Sequence, residues 1–183
     1  MGQAKKAGLQ VWCRGESNDQ APDPSFPKNL IKKALMGWFF SKVDAFLCTG
    51  QANRRLYQKA GVPEERLYSA PYFVDNERFS KEAERLWPER ELIRAGWGIR
   101  PEAKVVLFSG KFIPKKRVMD LAQAFRLACE KYRGGCHLLL AGDGPMRAEL
   151  ERVLVGLPVT FAGFLNQTEV PRAYAAADVM PLS

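Results

Sequence analysis

The sequence predicts an α/β protein with two units, each a parallel sheet covered by helices. Short apolar runs rich in β-branched residues recur along the chain, and segments with a 3.6-residue apolar period separate them. Strands that alternate with helices pair in parallel through right-handed crossovers. An aperiodic connector from Pro71 to Ser80 divides the alternation in two. A chain of 183 residues has room for one large domain or two small ones.

The first unit is predicted to contain three strands and two main helices. The helix from about Asn29 to Phe40 carries its apolar residues on one face. Thr49 is a suitable N-cap for the next helix, and Gly61 with Pro63 ends that helix. The predicted strands are 9–13, 43–48 and 66–70.

The second unit repeats the alternation after a mostly helical segment, 81–95, that Pro88 interrupts. Asn166 with Glu169 resembles a capping box. We expect the boundary near 75–80, which gives domains 1–79 and 80–183. The predicted strands are 104–109, 136–141, 159–162 and 178–182, and the helices that follow the first three are 118–132, 145–155 and 166–176. Both units are then Rossmann-like, and such sheets bind ligands at the carboxyl ends of their strands.

Composition and charge narrow the classes of function. The net charge of +8 suits anionic small molecules or an anionic membrane surface, and no motif of a nucleic-acid-binding family is present. The four cysteines lie in or beside apolar runs, which predicts buried reduced thiols in a reducing compartment. A single histidine, His137, with scattered cysteines predicts no metal site. No apolar run reaches the 18 residues of a membrane span, so we expect no membrane-spanning helix. The reduced thiols indicate a cytoplasmic protein.

One strand-to-helix loop carries an unusual concentration of positive charge. Gly110 ends a predicted strand, and Lys111, Lys115, Lys116 and Arg117 follow within seven residues. Backbone N–H groups and a helix N-terminus at such a loop favour anions, and several cations suit a phosphate or diphosphate better than a carboxylate. The alternative is a solvated basic loop.

Two further loops are expected at the same edge of the second sheet. The turn Gly142-Asp143-Gly144 allows close approach of a ligand to the backbone, although it is equally consistent with a tight turn. Arg147 stands where a dinucleotide fingerprint has its third glycine, so a nicotinamide cofactor is disfavoured. Phe164 and Leu165 would flank a nucleobase, or else pack in the core.

These segments resemble the donor domain of family 4 (group 1) glycosyltransferases, which have the two-domain GT-B fold. Residues 110–116 are similar to the family's Gly-Arg-x4-Lys loop, 139–145 to its Gly-x-Gly-Pro turn, and 159–164 through 174–179 to its nucleobase loop and following helix. In the first half, 61–67 and 74–79 resemble the segment that joins the two domains. Three departures from the family pattern are Lys111 for arginine, Arg117 for glycine, and Tyr72-Phe73 for Asn-Gly.

The resemblance implies a retaining enzyme that transfers a sugar from a nucleotide-diphosphate sugar to a glycan or glycolipid acceptor hydroxyl. That donor is a substrate, and no cofactor or metal is implied. The role implied is cell-surface polysaccharide or glycolipid synthesis. The donor-sugar glutamates of the family are expected beyond Ser183, so we expect the chain alone to be inactive and its parent enzyme to be about twice as long. The implied donor-binding residues are Gly110, Lys111, Lys116, Gly142, Asp143, Gly144, Phe164 and Leu165.

Two features of the first unit are candidates for other roles. Glu16, in the loop after the first strand, is a candidate catalytic base, although most loop carboxylates are solvated. The helix with Trp38 and Phe39 also carries lysines, and it would dock on the inner face of a membrane or pack its aromatic rings on the sheet. Two alternatives of a different class are a non-catalytic nucleotide- or phosphate-binding module and a membrane-surface interaction protein.

Overall fold

The structure, a computed structural model, describes residues 2–17, 26–132 and 135–182, with the backbone alone for 26–32. The described chain forms two compact units, Met1–Val74 and Asp75–Ser183. Each unit contains a three-stranded parallel sheet with helices against it. The predicted fold class, α/β with parallel sheets, is therefore confirmed.

The sheet of the first unit has the strand order β1-β2-β3, and all three strands are parallel. Its core is a set of aromatic rings in contact: the Phe40 and Phe46 centroids lie 5.1 Å apart, and those of Phe46 and Tyr57 lie 4.8 Å apart. The strands are β1 Trp12–Arg14, β2 Ala45–Cys48 and β3 Leu67–Ser69, and the helices are α1 Gly2–Lys6, α2 Phe26–Phe40 and α3 Gln51–Lys59.

The second unit has the order β4-β5-β6, and Val179 adds a single parallel bridge to Val106 on the free side of β4. The predicted strand 178–182 is thus reduced to one bridge. Every residue of β5 is buried, because helices cover both faces of the sheet. The strands are β4 Lys104–Ser109, β5 Cys136–Ala141 and β6 Val159–Gly163, and the helices are α4 Asn76–Leu86, α5 Arg90–Gly96, α6 Val118–Lys131, α7 Arg147–Val153 and α8 Val170–Ala176.

The end of the expected connector is helical, which corrects the sequence prediction for residues 76–80. The Asp75 side chain accepts a hydrogen bond from the Arg78 backbone N–H at 3.0 Å and so caps α4. Glu77 in the first turn adds a favourable interaction with the helix dipole. The Arg78 side chain also donates to the Gln167 carbonyl at 3.2 Å. Helix α4 therefore belongs to the second unit.

The capping box before α8 has the predicted geometry, although the helix itself begins later, at Val170. The Asn166 N–H donates to Glu169 Oε2 at 2.9 Å, and the Glu169 N–H donates to Asn166 Oδ1 at 3.1 Å. The segment from 166 to 169 forms a hydrogen-bonded turn that leads into the helix. The sequence therefore located the start of this turn correctly and the helix four residues too early.

A buried ion cluster holds the last part of the second unit in place. Arg94, whose side chain is 7% exposed, donates to Asp178 Oδ2 at 2.8 Å, and Arg90 donates to Asp178 Oδ1 at 2.7 Å. Both arginines also donate to carbonyl groups at the end of α8. The Val105 N–H completes the cluster by donating to Asp178 Oδ2 at 2.7 Å. Val105 lies near the start of β4, so this cluster is at the amino edge of the sheet, opposite the carboxyl ends of the strands. Its role is therefore structural.

Candidate functional site

The three loops singled out in the second unit meet at the carboxyl edge of its sheet. The Gly110 N–H donates to the Ala141 carbonyl at 2.9 Å, and the Gly142 N–H donates to the Gly163 carbonyl at 2.7 Å. These bonds extend the pairing of β4, β5 and β6 past the ends of the strands. The loops enclose an open cavity of about 640 Å³. Its lining residues are Ser109, Gly110, Lys111, Ala141, Gly142, Asp143, Gly144, Phe164 and Leu165.

Gly142 and Gly144 are glycines because another backbone lies against them. A Cβ at Gly142 would lie 2.0 Å from the Gly110 carbonyl oxygen, and one at Gly144 would lie 2.6 Å from the Phe112 oxygen. Gly142 also has a φ of +137°, which disfavours other residues. The Phe112 N–H donates to the Asp143 carbonyl at 2.9 Å and fixes the two loops together. The turn is therefore built for close approach between loops, and that approach forms the floor of the cavity.

Lys111 supplies the positive charge of the cavity. Its side chain is exposed, and no carboxylate within the described parts of the chain forms an ion pair with it. The other cations of the basic loop lie elsewhere: Arg117 pairs with Asp120, and Lys116 belongs to a 3-10 turn and does not line the cavity. A direct role for Lys116 in binding stays a prediction.

Phe164 and Asp143 define the rest of the cavity's chemistry. Phe164 is 81% exposed, so its ring is open to stack on a planar group, contrary to the core-packing alternative. Asp143 Oδ1 accepts a hydrogen bond from the Gly144 N–H at 2.8 Å, which ties its carboxylate to the turn. A flat aromatic surface and a lysine beside exposed backbone suit a ligand with a planar ring and a phosphate group.

Ser109 and Ala141 also line the cavity, although their residue types alone do not single them out. Each is the last residue of its strand. The available signal was position alone, because the final residue of a parallel strand faces the same edge as the loop that follows it. Ser109 adds a hydroxyl group to the residues that can contact a ligand.

Glu16 lies in the first unit, just past the end of β1. Its Oε1 accepts a hydrogen bond from the Tyr72 hydroxyl at 2.6 Å, and the side chain is exposed. The hydrogen bond to Glu16, together with burial, raises the pKa of Tyr72. Nothing in the geometry of Glu16 distinguishes a catalytic base from a binding residue, so its catalytic role stays a prediction.

Helix α2 exposes the aromatic residues of the suggested membrane surface. Trp38 is 65% exposed and Phe39 is 39% exposed, whereas Phe40 is buried against the sheet. Lys33 and Lys42 are exposed, and the side chains of Lys28 and Lys32 lie outside the described residues. Among the helices that the structure describes, none combines the length and apolar character that crossing a bilayer requires.

The histidine and the cysteines have structural surroundings. His137 is buried and its Nε2 lies 2.9 Å from the Thr160 hydroxyl, which itself donates to the Trp97 carbonyl. Burial, together with the nearby Arg100, lowers the pKa of His137. Burial and a contact with Cys136 raise the pKa of Cys129 to about 12. Within residues 2–17, 26–132 and 135–182, no group of three potential metal ligands comes together.

Known proteins resemble this chain in sequence and fold. Residues 103–183 match the family model described as glycosyl transferases group 1. The alpha-D-kanosaminyltransferase of Streptomyces kanamyceticus is 28% identical over 142 residues, which are 74% of this chain and 35% of that protein. A GDP-mannose-dependent alpha-(1-6)-phosphatidylinositol dimannoside mannosyltransferase of Mycobacterium tuberculosis is 28% identical over 139 residues, 74% of this chain and 34% of that protein.

Among solved structures, HepE of Anabaena in complex with UDP and glucose aligns with a TM-score of 0.67 at 16% identity. The alignment covers 98% of this chain and 48% of HepE. The chain thus spans about a third of the length of these curated relatives and about half of this structural neighbour. The comparisons confirm the resemblance to group 1 glycosyltransferases and the GT-B type of fold.

Proposed function

We propose, from the premise that the second half of this chain is a group 1 glycosyltransferase sequence, that its cavity binds the nucleotide-diphosphate sugar of a glycosyl transfer. The observation that carries the proposal is the meeting of Lys111, the Gly142–Gly144 turn and the exposed Phe164 ring in one cavity at the strand ends. The carboxyl edge of a parallel sheet is where such folds bind nucleotides.

In this proposal the loops divide the donor between them. Lys111 contacts the diphosphate, which lies on the cavity floor formed by the Gly110 loop and the Gly142–Gly144 turn. Phe164 stacks on the nucleobase and Leu165 flanks it. Lys116 is assigned a longer-range contribution, because it lies on the same basic loop and does not line the cavity.

Lys111 also has a role in the transfer step of the whole enzyme. When the bond between the sugar and the diphosphate breaks, negative charge accumulates on the leaving diphosphate. A cation already in place at the strand end offsets that charge, and it needs no reorganisation at the moment of reaction. The attacking group is an acceptor hydroxyl, and we assign retention of configuration on the resemblance to the family.

The acceptor in this proposal is a glycan or glycolipid used for cell-surface polysaccharide or glycolipid synthesis, and the enzyme works at the cytoplasmic face of a membrane. The name of the mycobacterial relative includes a lipid acceptor, which supports a lipid-linked substrate. The exposed Trp38 and Phe39, together with the exposed Lys33 of the same helix, support contact with an anionic surface. We assign donor binding to the described cavity and the transfer step to the whole enzyme.

Titration of the chain with UDP and GDP in a calorimeter tests the donor assignment. Lys111→Ala should reduce the affinity for the tighter-binding of the two nucleotides about tenfold, since a hydrogen bond to a charged group contributes roughly 1.5–3 kcal/mol. Lys116→Ala should have a smaller effect. Lys115→Ala is the matched control, because Lys115 is exposed on the same loop and does not line the cavity. Equal binding by the Lys111→Ala variant and the unmodified chain would show that Lys111 is a surface lysine.

A further inference from the structure

The second unit brings two thiols into direct contact at a place away from its cavity. Cys129 lies in the last turn of α6, and Cys136 is the first residue of β5. Their Sγ atoms are 3.1 Å apart, a distance at which one thiol donates a hydrogen bond to the other. The cavity lies at the other end of β5, where Ala141 contributes to its lining. The contact between the thiols therefore has no part in the proposed function.

Backbone hydrogen bonds and apolar packing hold both sides of this contact. At the end of α6, the Tyr132 N–H donates to the Ala128 carbonyl at 2.8 Å. At the start of β5, the Gly135 carbonyl accepts a hydrogen bond from the Lys104 N–H at 3.1 Å. Both cysteines also belong to the apolar cluster that packs α6 on the sheet. The two sulfur atoms thus meet because the helix end and the strand start are each fixed.

Two thiols in this arrangement are close to the geometry of a disulfide. The sulfur atoms of a disulfide are about 2.05 Å apart, so Cys129 and Cys136 need to approach by only about 1 Å. A structural zinc site would need four ligands. Within the part of the chain that the structure describes, no third potential metal ligand joins the pair. The geometry therefore favours a bond between the two sulfur atoms over a metal site.

We propose that Cys129 and Cys136 form a reversible disulfide in the presence of an oxidised low-molecular-weight disulfide, and that this bond ties the end of α6 to β5. The Cys129 thiolate attacks one sulfur of oxidised glutathione, and one glutathione leaves as its thiolate. The Cys136 thiolate then attacks the Cys129 sulfur and expels the second glutathione. The two cysteines lose two electrons and two protons in total, and the glutathione disulfide is reduced to two thiols.

The surroundings of Cys129 make this reaction slow at neutral pH. Burial and the contact with Cys136 raise the pKa of Cys129 to about 12, so little of the nucleophilic thiolate is present at pH 7. The rate of bond formation should rise with pH as the thiolate fraction increases. The pair therefore responds to sustained oxidising conditions, and under reducing conditions it remains as the two free thiols of this structure.

The other two cysteines provide a control of matched burial. Cys13 is half-buried like Cys129, and Cys48 is buried like Cys136. The Cys13 thiol interacts with the Tyr57 hydroxyl, and Cys48 Sγ lies 4.0 Å from a backbone carbonyl oxygen. Among the four cysteines, all of which the structure describes, the contact between two sulfur atoms is that of Cys129 with Cys136. Burial alone therefore does not predict which cysteines become linked.

Peptide mapping by mass spectrometry tests the proposal on the 183-residue chain. The chain is incubated with oxidised glutathione at pH 8.5, and its remaining thiols are then alkylated in acid. Trypsin cleaves after Lys131 and Arg133, so the linked chain yields peptide 127–131 joined to peptide 134–147. This joined pair should be the main disulfide product and should disappear on treatment with dithiothreitol, while Cys13 and Cys48 should be recovered as alkylated thiols.

Thermal unfolding provides a second measurement. The linked chain should melt about 5 °C higher than the reduced chain, because the bond restricts the unfolded state. Cys129→Ser should abolish this oxidation-dependent shift, whereas Cys13→Ser, the matched control, should retain it.

The proposal is wrong if the joined pair of peptides does not form, or if Cys13 or Cys48 is oxidised in preference. A glutathione that stays on Cys129 without being displaced by Cys136 would equally overturn it. A linked chain that melts at the same temperature as the reduced chain would contradict the tie between α6 and β5.

Discussion

Arg117 adopts a backbone conformation that its side chain disfavours. Its φ of +49° and ψ of +30° lie in the left-handed region, and no other non-glycine residue in the described ranges has a positive φ. The glycosyltransferase pattern that this sequence resembles has a glycine where Arg117 stands. The structure supplies the reason for that glycine, because the chain must turn from the 3-10 segment into α6 at this residue.

Arg117→Gly should therefore stabilise the protein by up to about 1 kcal/mol. Removing the left-handed strain stabilises the folded state by roughly 1–2 kcal/mol. Glycine also makes the unfolded chain more flexible, which offsets about 0.4–1 kcal/mol of that stabilisation. The exposed pair with Asp120 contributes little. Thermal unfolding should show a melting temperature about 2–4 °C higher. Lys115→Gly is the control, because Lys115 is a neighbouring exposed residue without a positive φ, and this change should lower the melting temperature. A lower melting temperature for Arg117→Gly as well would contradict the account.

The types and positions of residues in the sequence predicted which residues line the second unit's cavity better than they predicted individual side-chain hydrogen bonds and ion pairs. Lys111, the glycine turn and Phe164 were selected from sequence and line one cavity, whereas Lys115 and Lys116 of the same basic loop do not line it. The hydrogen bond between Tyr72 and Glu16 was not predictable, because it joins residues 56 positions apart in the chain. The pairing of Arg117 with Asp120 was not predicted either, because Asp120 belongs to α6 and not to the basic loop.

At the scale of elements, the Asp178 cluster fixes the last bridge of the sheet to α5 and α8. Burial raises the pKa of Asp178, but the Val105 N–H, Arg90 and Arg94 more than offset this effect and hold the pKa at about 2. Arg94 is nearly inaccessible, so it depends on the Asp178 carboxylate and on carbonyl oxygens for its partners. The cluster explains why the segment at Asp178 is held against β4 although it does not form a strand.

Asp178→Asn should destabilise the protein by about 3–5 kcal/mol at pH 7, because it leaves the buried Arg94 without its counter-charge. The folded-state pKa of Asp178 lies below its ordinary value of 3.8, so its stabilisation is complete above about pH 4. That stabilisation is lost as the pH falls through about 2. Urea unfolding at several pH values should show the difference between the two proteins narrowing by about 2 kcal/mol between pH 4 and pH 2. Asp120→Asn, at an exposed pair, is the control and should reduce the free energy of unfolding by less than about 1 kcal/mol. If the difference in unfolding free energy between Asp178→Asn and the unmodified protein did not change with pH, the role given to Asp178 would be contradicted.

Strands and helices were predictable where they carry a clear apolar period. The bounds of β4 and β5 agree with the sequence prediction, because both strands are buried runs bounded by polar or glycine residues. The helix at 76–86 was partly missed, since its first turn follows a proline-containing segment and is stabilised by the cap at Asp75. The prediction of a strand at 178–182 was wrong. A single bridge and the ion cluster hold residues 178–179, and the ion cluster is a tertiary contact that the local sequence does not reveal.

At the scale of the whole molecule, the chain combines two parallel-sheet units of the GT-B type. Each unit places polar side chains at the carboxyl edge of its own sheet: Lys111 beside the glycine turn in one unit, and Glu16 beside Tyr72 in the other. The division of the chain into two units could be predicted from the repeated alternation of strands and helices. Their roles, donor binding for the second unit and acceptor binding for the first, are proposals.

The central claim is that the strand-end cavity of the second unit binds a nucleoside diphosphate through Lys111 and Phe164. The most direct test is a crystal structure of the chain with whichever of UDP and GDP binds better in the calorimeter. The account predicts diphosphate oxygens within hydrogen-bond distance of Lys111 Nζ and the nucleobase against the ring of Phe164. A nucleotide located away from Ser109–Lys111 and the Gly142–Gly144 turn, or a cavity that stays empty at saturating nucleotide, would contradict it.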